Sequence, residues 1–418
     1  MRHIIIFIAL ISFVFKANSQ NLQEMYNKSK SAYENKEYGS FLKIMKQLDS
    51  LRPSHPVFTY NLAAALVLNG KTEEALPVMA KSILMDNGVD FDQDADFEPV
   101  RSKPGYQRIL ALKQEQNKTV TGSGKVVVLK EKDLHPEGLT YLPKAKLWLA
   151  ASIHKGKIIA FDSQTGGCTD WFIADKGFAV FAMKPDKNEK YLWVATAAIP
   201  EAQSFTKELE GKAVILKIDI AGKKITARFS VNGNHLFGDL AVTREGTVYV
   251  SDSAQPVLYK IENNTMDVFL DLSQEAFNLQ GITLNTAASK LFVADYLKGI
   301  LAVDIKNNNR KWLSFPEGAT GKGIDGLAYY KQSLIAIHNG IKPVRLMQYT
   351  LDDSENTITA SKVLDSNRPE FNEPVLMAVQ DKQIYFFANA PWNAYKKDHT
   401  LDLQQCDNPV LYQYRLKE

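Results

Sequence analysis

Cysteine is nearly absent from this chain, with only Cys168 and Cys406 among 418 residues. Neither has metal-type spacing around it, so a disulfide framework and a thiolate metal centre are both excluded as organising devices. Dense Lys/Arg blocks are lacking too, and the formal net charge is only +3. Nucleic acid therefore has no electrostatic footprint to bind. Long apolar runs are missing after the N-terminus, so no transmembrane segment is expected in the mature chain. No cysteine follows the N-terminal apolar run, which argues against a lipid anchor there.

That N-terminal run itself is informative. A short basic start (Arg2, His3) precedes an apolar stretch from Ile4 to Phe15, then Ala17-Asn18-Ser19 before Gln20. Small residues at Ala17 and Ser19 fit a signal-peptidase site, so residues 1–19 read as a signal peptide and the protein as exported, periplasmic or extracellular. A retained anchor or a buried helix is the alternative.

From residue 20 to 116 the period is helical. In Tyr60 to Asp86, Leu62, Ala65 and Leu66 fall at helical spacing, Asn69-Gly70 breaks the chain, and Ala75, Leu76, Met79 and Ile83 resume it. This helix-turn-helix resembles a tetratricopeptide repeat. A weaker copy lies 34 residues earlier, with Ala32 over Leu66, Phe41 over Ala75 and Met45 over Met79. A degenerate third piece carries Asp96-Phe97 and Val100-Arg101. Such helices either form a groove that docks a protein partner or cap the rest of the chain. Residues 117–124, polar and ending in glycine, read as a linker.

Beyond Lys125 the period becomes two, and one phrase is written six times: GLTYLPKAKLWLAAS, FAMKPDKNEKYLWVATA, DLAVTREGTVYVSDS, GITLNTAASKLFVAD, GLAYYKQSLIAIHNG and VLMAVQDKQIYFFAN. A unit of roughly 40–50 residues with four strands is the signature of a propeller blade. The fold class is therefore mainly β: a six-bladed β-propeller over residues 125–418, preceded by a small α-helical domain. A β-sandwich explains the alternation but not six copies. Lys125–Lys130 is expected to close the ring as the outer strand of the last blade, which also contains the C-terminal strand.

In a propeller, the turns leading into the inner strands and the connections after the second strands share one face. The first class of position reads Glu137, Asp239, Gln280, Asp325 and Glu373, with Phe178-Ala179 in the second blade. Converging carboxylates with amide oxygens suit a hard cation, Ca²⁺ first, with Zn²⁺ or Mg²⁺ as alternatives. Without one they would raise each other's pKa. The second class supplies funnel walls: Ser152 and His154, Thr196, Asp252 and Ser253, Asp295 and Tyr296, His338 and Asn339, and Asn389 with Trp392. His154 and His338 are candidate proton carriers, and Trp392 either stacks on a substrate or covers the channel mouth. His135 and His235 are weaker candidates.

On these residues the region from Lys125 onward resembles the senescence-marker-protein, gluconolactonase and luciferin-regenerating-enzyme family. The resemblance implies a six-bladed propeller with one divalent cation in its channel and, in many members, hydrolysis of sugar lactones or related esters. It implies Glu137, Gln280 and Asp325 as metal ligands and Asp325 as the catalytic residue that positions or deprotonates water. Asp239, His154, His338 and Trp392 would then meet a small-molecule substrate. Gln280 stands where the family has Asn, and Gly238-Asp239 where it has Asn-Asp. A non-catalytic ligand-binding propeller with a helical docking module is the alternative. A paraoxonase-like dyad would need a histidine where Phe178-Ala179 stands.

Overall fold

A computed structural model describes residues 16–416; the expected signal segment up to position 15 lies outside them. No helix among the described residues is long and apolar enough to cross a membrane. The chain begins with six helices, α1 (Lys16–Glu34), α2 (Tyr38–Leu51), α3 (Pro56–Leu68), α4 (Thr72–Met85), α5 (Glu98–Arg101) and α6 (Pro104–Gln116). Pro56 begins α3, where its missing N–H costs nothing. This helix packs between α2 and α4, which is why its residues 62–67 are all buried rather than one stripe. Met45, Met79, Ile83, Phe97 and Val100 are fully enclosed in one core. The break at Asn69-Gly70 is realised as expected. Gly70 takes φ +72°, and the Asn69 amide donates to the Ala65 and Tyr38 carbonyls, tying α3 to the start of α2.

The rest is a six-bladed β-propeller, each blade a four-stranded antiparallel sheet, in sequential order in all but the last. The inner strands are Pro136–Leu142, Ala179–Pro185, Phe237–Val242, Leu279–Leu284, Ile324–Tyr330 and Met377–Gln380, blades 1 to 6. Each packs beside the next, and the first beside the last. Strand Gly124–Val128 pairs with Val410–Arg415 as the outer strand of blade 6. The ring is thus closed by joining the two ends of the β region, which leaves no open edge between first and last blades. Cys168 and Cys406 are unpaired.

The helical region is fastened to blade 5. Met85 and Asn87 exchange backbone hydrogen bonds with Lys342. Arg345, 3% exposed, donates to the Leu84 carbonyl at 3.2 Å, to Gln116 Oε1 at 2.5 Å and to Pro343 O at 3.2 Å. Residues 117–124, expected as a linker, are held in place. Val120 pairs both ways with Ser366, Asn367 donates to Asn117 O, and Ser123 bonds the buried Asp365. A polar composition signalled a loop, but these polar groups bond blade 5 rather than water.

Arg345→Ala removes three charge-assisted bonds and strands their acceptors. It is expected to cost about 2–3 kcal/mol and to open residues 117–124 to limited proteolysis, with the propeller left intact. Unchanged melting and an uncut junction would show that the seam does not depend on Arg345.

Candidate functional site

Each of the first five inner strands is interrupted near its start by an irregular register. The displaced residues are Glu137-Gly138, Phe181-Ala182, Gly238, Gln280-Gly281 and Asp325-Gly326. A bulge re-aims the side chain it carries, and here it repeats around the axis. Two sequence assignments are corrected by this register. In blade 2 the equivalent residue is Phe181, not Phe178, because Val180 pairs with Thr196 before the irregularity. In blade 3 Gly238 stands in the place of Glu137, Gln280 and Asp325, and Asp239 stands one step on, in the place of the glycines.

The glycine place is sterically forced. A Cβ on Gly138 would stand 2.5 Å from the Phe181 carbonyl oxygen, and one on Gly281 would stand 2.4 Å from that of Asp325. At the same place Asp239 reaches across to blade 4 and accepts from Ile282 N at 3.0 Å, as well as from Leu240 N at 2.8 Å. Two further side chains of blade 3 hold the same strand: Ser251 Oγ donates to Gln280 O and Ser253 Oγ to Leu279 O, both at 2.7 Å. Asp239 therefore positions Gln280 through the backbone, a role that spacing alone did not reveal.

Four carboxylates share the electrostatics of this end of the channel. Burial first, then Asp325, Glu373 and Asp239, holds the Glu137 carboxyl well above the usual range. Glu137 Oε2 is buried without a hydrogen-bond partner. Burial, with Asp239 acting against the Asn339 hydrogen bond, pushes Asp325 up to about 6. Glu373 is pushed up to about 7 by burial and by Asp325. Burial also raises Asp239, against Lys184 and two amide bonds. Asn339 Nδ2 donates to Asp325 Oδ2 at 2.5 Å and to Pro374 O at 3.1 Å, while its Oδ1 accepts from Tyr296 Oη at 3.0 Å. Gln280 Nε2 donates to Asn278 Oδ1. Its Oε1 lies 3.9 Å from where a Cβ on Gly238 would be. The longer amide of blade 4 thus leans toward the side chain that blade 3 lacks.

The expected funnel walls divide into two sets. Ser152, Asp252, Asp295 and His338 occupy equivalent ends of second strands and are fully buried. Each is bonded to a neighbouring loop. Ser152 Oγ donates to Leu134 O, Asp252 accepts from Leu236, Ala254 and Gln255 amides and bonds His235, and Asp295 accepts from four amides. His338 Nδ1 donates to Lys322 O and its Nε2 accepts from Tyr349 Oη, each at 2.8 Å. Burial lowers its pKa to about 3. With both nitrogens occupied, His338 offers no atom to a substrate and staples the Lys322 loop instead of making the expected substrate contact. Thr196 donates to Val214 O, and Asn389 bridges Asn408 and Val410.

Tyr296 and Asn339, just beyond two of these strand ends, reach Asp325 instead, while Ser253 is buried on the Leu279 carbonyl and His154 is half-buried. His154 donates from Nδ1 to Glu201 O at 3.0 Å, leaving Nε2 without a partner among the described residues; burial lowers its pKa. Trp392, half-buried, lies edge-on to His135 with ring centres 4.4 Å apart and packs against the apolar clusters between blades 2 and 3 and between blades 6 and 1. His135 Nδ1 bonds Tyr395 Oη, and His235 is held at both nitrogens by Asp252 and Asn232.

Among the described residues, no group of three or more His, Cys, Asp or Glu side chains is gathered as a ready-made ion site. The set of all-oxygen donors is two carboxylates and an amide, Glu137, Asp325 and Gln280, with Glu373 nearby. Hard-cation chemistry fits that set, and the partnerless Glu137 Oε2 fits a ligand atom.

No family model and no curated protein matches the chain. Among solved structures it is similar to the PQQ-bound aldose sugar dehydrogenase of Streptomyces coelicolor, at 14% identity and TM-score 0.48 over 71% of this chain and 98% of that one. It is similar to luciferin-regenerating enzyme at 14% identity and TM-score 0.47, over 71% and 95%. It is also similar to an inactive virginiamycin B lyase of Staphylococcus aureus with quinupristin, at 13% and 0.47 over 70% and 99%.

The raised carboxylates give a signed pH dependence. With no cation bound, the folded protein holds protons that the unfolded chain has released, so stability falls as pH rises from about 4 toward 7. Glu373→Gln should flatten that slope and stabilise the metal-free protein at pH 8 by at least ~1.4 kcal/mol, the worth of one pKa unit. Thermal melts in chelator across pH 4–8 check this; a parallel slope in the variant would refute the coupling.

Proposed function

We propose that the chain is an exported gluconolactonase-like propeller that holds a divalent cation at Glu137, Gln280 and Asp325 and hydrolyses a lactone or ester at the channel mouth. Glu137 carries this reading. Its carboxylate is buried, one oxygen lacks a partner, and three further acids press on it. A buried anion in that position calls for counter-charge. Ca²⁺ suits the oxygen donors best, ahead of Zn²⁺ or Mg²⁺.

When bound, the cation would polarise a substrate carbonyl and acidify a water. The residues of the chain would do the rest. Asn339 holds Asp325 by Oδ2, which orients Oδ1 as a proton acceptor at the mouth. Ser251 and Asp239 fix the backbone of blade 4, so that Gln280 keeps its amide oxygen at the axis. His154 presents Nε2 as a contact for a polar substrate group.

A second reading, a non-catalytic ligand-binding propeller with a helical docking module, draws on the exposed Tyr33, Leu51 and Val57 of the helical region. In that reading the tetratricopeptide-like helices receive a protein partner.

Metal content of purified protein and a lactone and ester panel separate the two. Wild type should retain one divalent ion, and Glu137→Gln and Asp325→Asn should lose it. On the active substrate, Asp325→Ala should be slower by at least ~10²-fold, the lower end of general acid–base contributions. Equal rates for both proteins on every substrate, with metal retained, would sink the hydrolase reading in favour of the second.

A further inference from the structure

The loop before blade 5 places a lysine where no anion meets it. Lys322 is 7% exposed, and among the described residues no carboxylate lies within ion-pair distance of its Nζ. The ammonium instead lies over the Tyr296 ring, 4.6 Å from its centre. Tyr296 is itself clamped. A Cβ on Gly340 would stand 2.5 Å from its Oη, and that hydroxyl donates to Asn339, which holds Asp325. Lys322 therefore sits one aromatic ring from the carboxylate mouth.

The turn joining α2 to α3 adds two more basic groups to the same place. Arg52 and Lys322 both act electrostatically on His55, and Arg52 acts on Lys322. The His55 ring stacks on Phe58 at 4.1 Å, and its Nδ1 is buried without a partner. The one carboxylate whose field reaches Lys322 is Asp295, and its two oxygens are already occupied by the amides of Phe277, Asn278, Leu297 and Lys298. A buried ammonium without an ion partner is costly, and the Arg52 charge on the helical side adds to that cost.

We propose that the seam between the helical region and the propeller is an oxyanion-binding subsite. Lys322 is its buried ligand, Arg52 closes it from the helical side, and His55 contributes a neutral N–H. The channel's ligand is then a small molecule carrying a carboxylate or phosphate, whose anion rests on Lys322 while its other end reaches the Asp325 mouth. The helices are part of the ligand site rather than a separate appendage. Placing the far end at Asp325 rests on the function proposed above; the anion subsite does not.

Calorimetric titration of the full chain in chelator tests this without metal or turnover. The probes are inorganic phosphate, D-gluconate as the carboxylate and D-glucose as the neutral control. Wild type should bind phosphate, gluconate or both, more weakly as salt rises, and should not bind glucose; which anion binds tells phosphate from carboxylate recognition. Lys322→Gln should weaken the anion at least ~10-fold, as for loss of a charge-assisted contact; Lys322→Arg should retain most of it, and Arg52→Ala should weaken it several-fold. Arg52 is exposed, so its variant reports even where Lys322→Gln does not fold. Binding of neither anion by wild type, equal binding of glucose, or anion affinity unchanged in both Lys322→Gln and Arg52→Ala would overturn the subsite. Loss of metal content with anion binding intact would instead overturn only the metal reading.

Discussion

Around the axis the inner strands of blades 1 and 4 approach the next blade so closely that backbone meets backbone at one place. Gly138 faces the carbonyl of Phe181, and Gly281 faces that of Asp325. Everything at the channel mouth depends on that crowding. The irregular register takes Glu137, Phe181, Gln280 and Asp325 out of the regular ladder, and close neighbours then fix the strands that bear them. Where blade 3 has Asp239 in place of glycine, the side chain becomes a cross-blade ligand for the Ile282 amide. The price of this packing is a set of acids brought together away from water.

That acid set explains the chemistry of the mouth better than any single residue does. Glu137, Asp325 and Glu373 are each pushed toward their protonated forms by burial and by one another. In the bare protein that pressure is relieved by protons. Blades 3 and 4 meanwhile exchange bulk, since Gly238 removes a side chain next to the longer Gln280. Gly238 and Gln280, the two places where the sequence differs from the pattern it resembles, are thus adjacent and complementary.

Opposite in sign, the seam beside Tyr296 gathers Lys322, Arg52 and His55. An acidic mouth and a basic rim, separated by one tyrosine ring, form a dipolar site that favours a ligand with an anionic end. The helical region contributes through the turn at Arg52–His55, and Arg345 fastens that region to blade 5 by gripping α4 and α6.

The repeated phrase determined the propeller, its six blades and the joining of Gly124–Val128 to the last one, because a side-chain period of two and recurrent turns are local properties. The helical region was legible from its own helical spacing, as was the break at Asn69-Gly70. Glu137, Gln280 and Asp325 were legible as equivalent positions because each precedes a glycine that packing requires. Phe181 and Gly238 were not, since bulge register depends on the partner strand. Nor was the sorting of Asp252, Asp295 and His338 into buried staples, which depends on whether loop amides and hydroxyls reach them. Lys322 had no sequence signal at all: a lone lysine in a loop looks solvated until another domain closes over it. Charge convergence across blades and domains is a property of distance in space, and only the tertiary structure decided it.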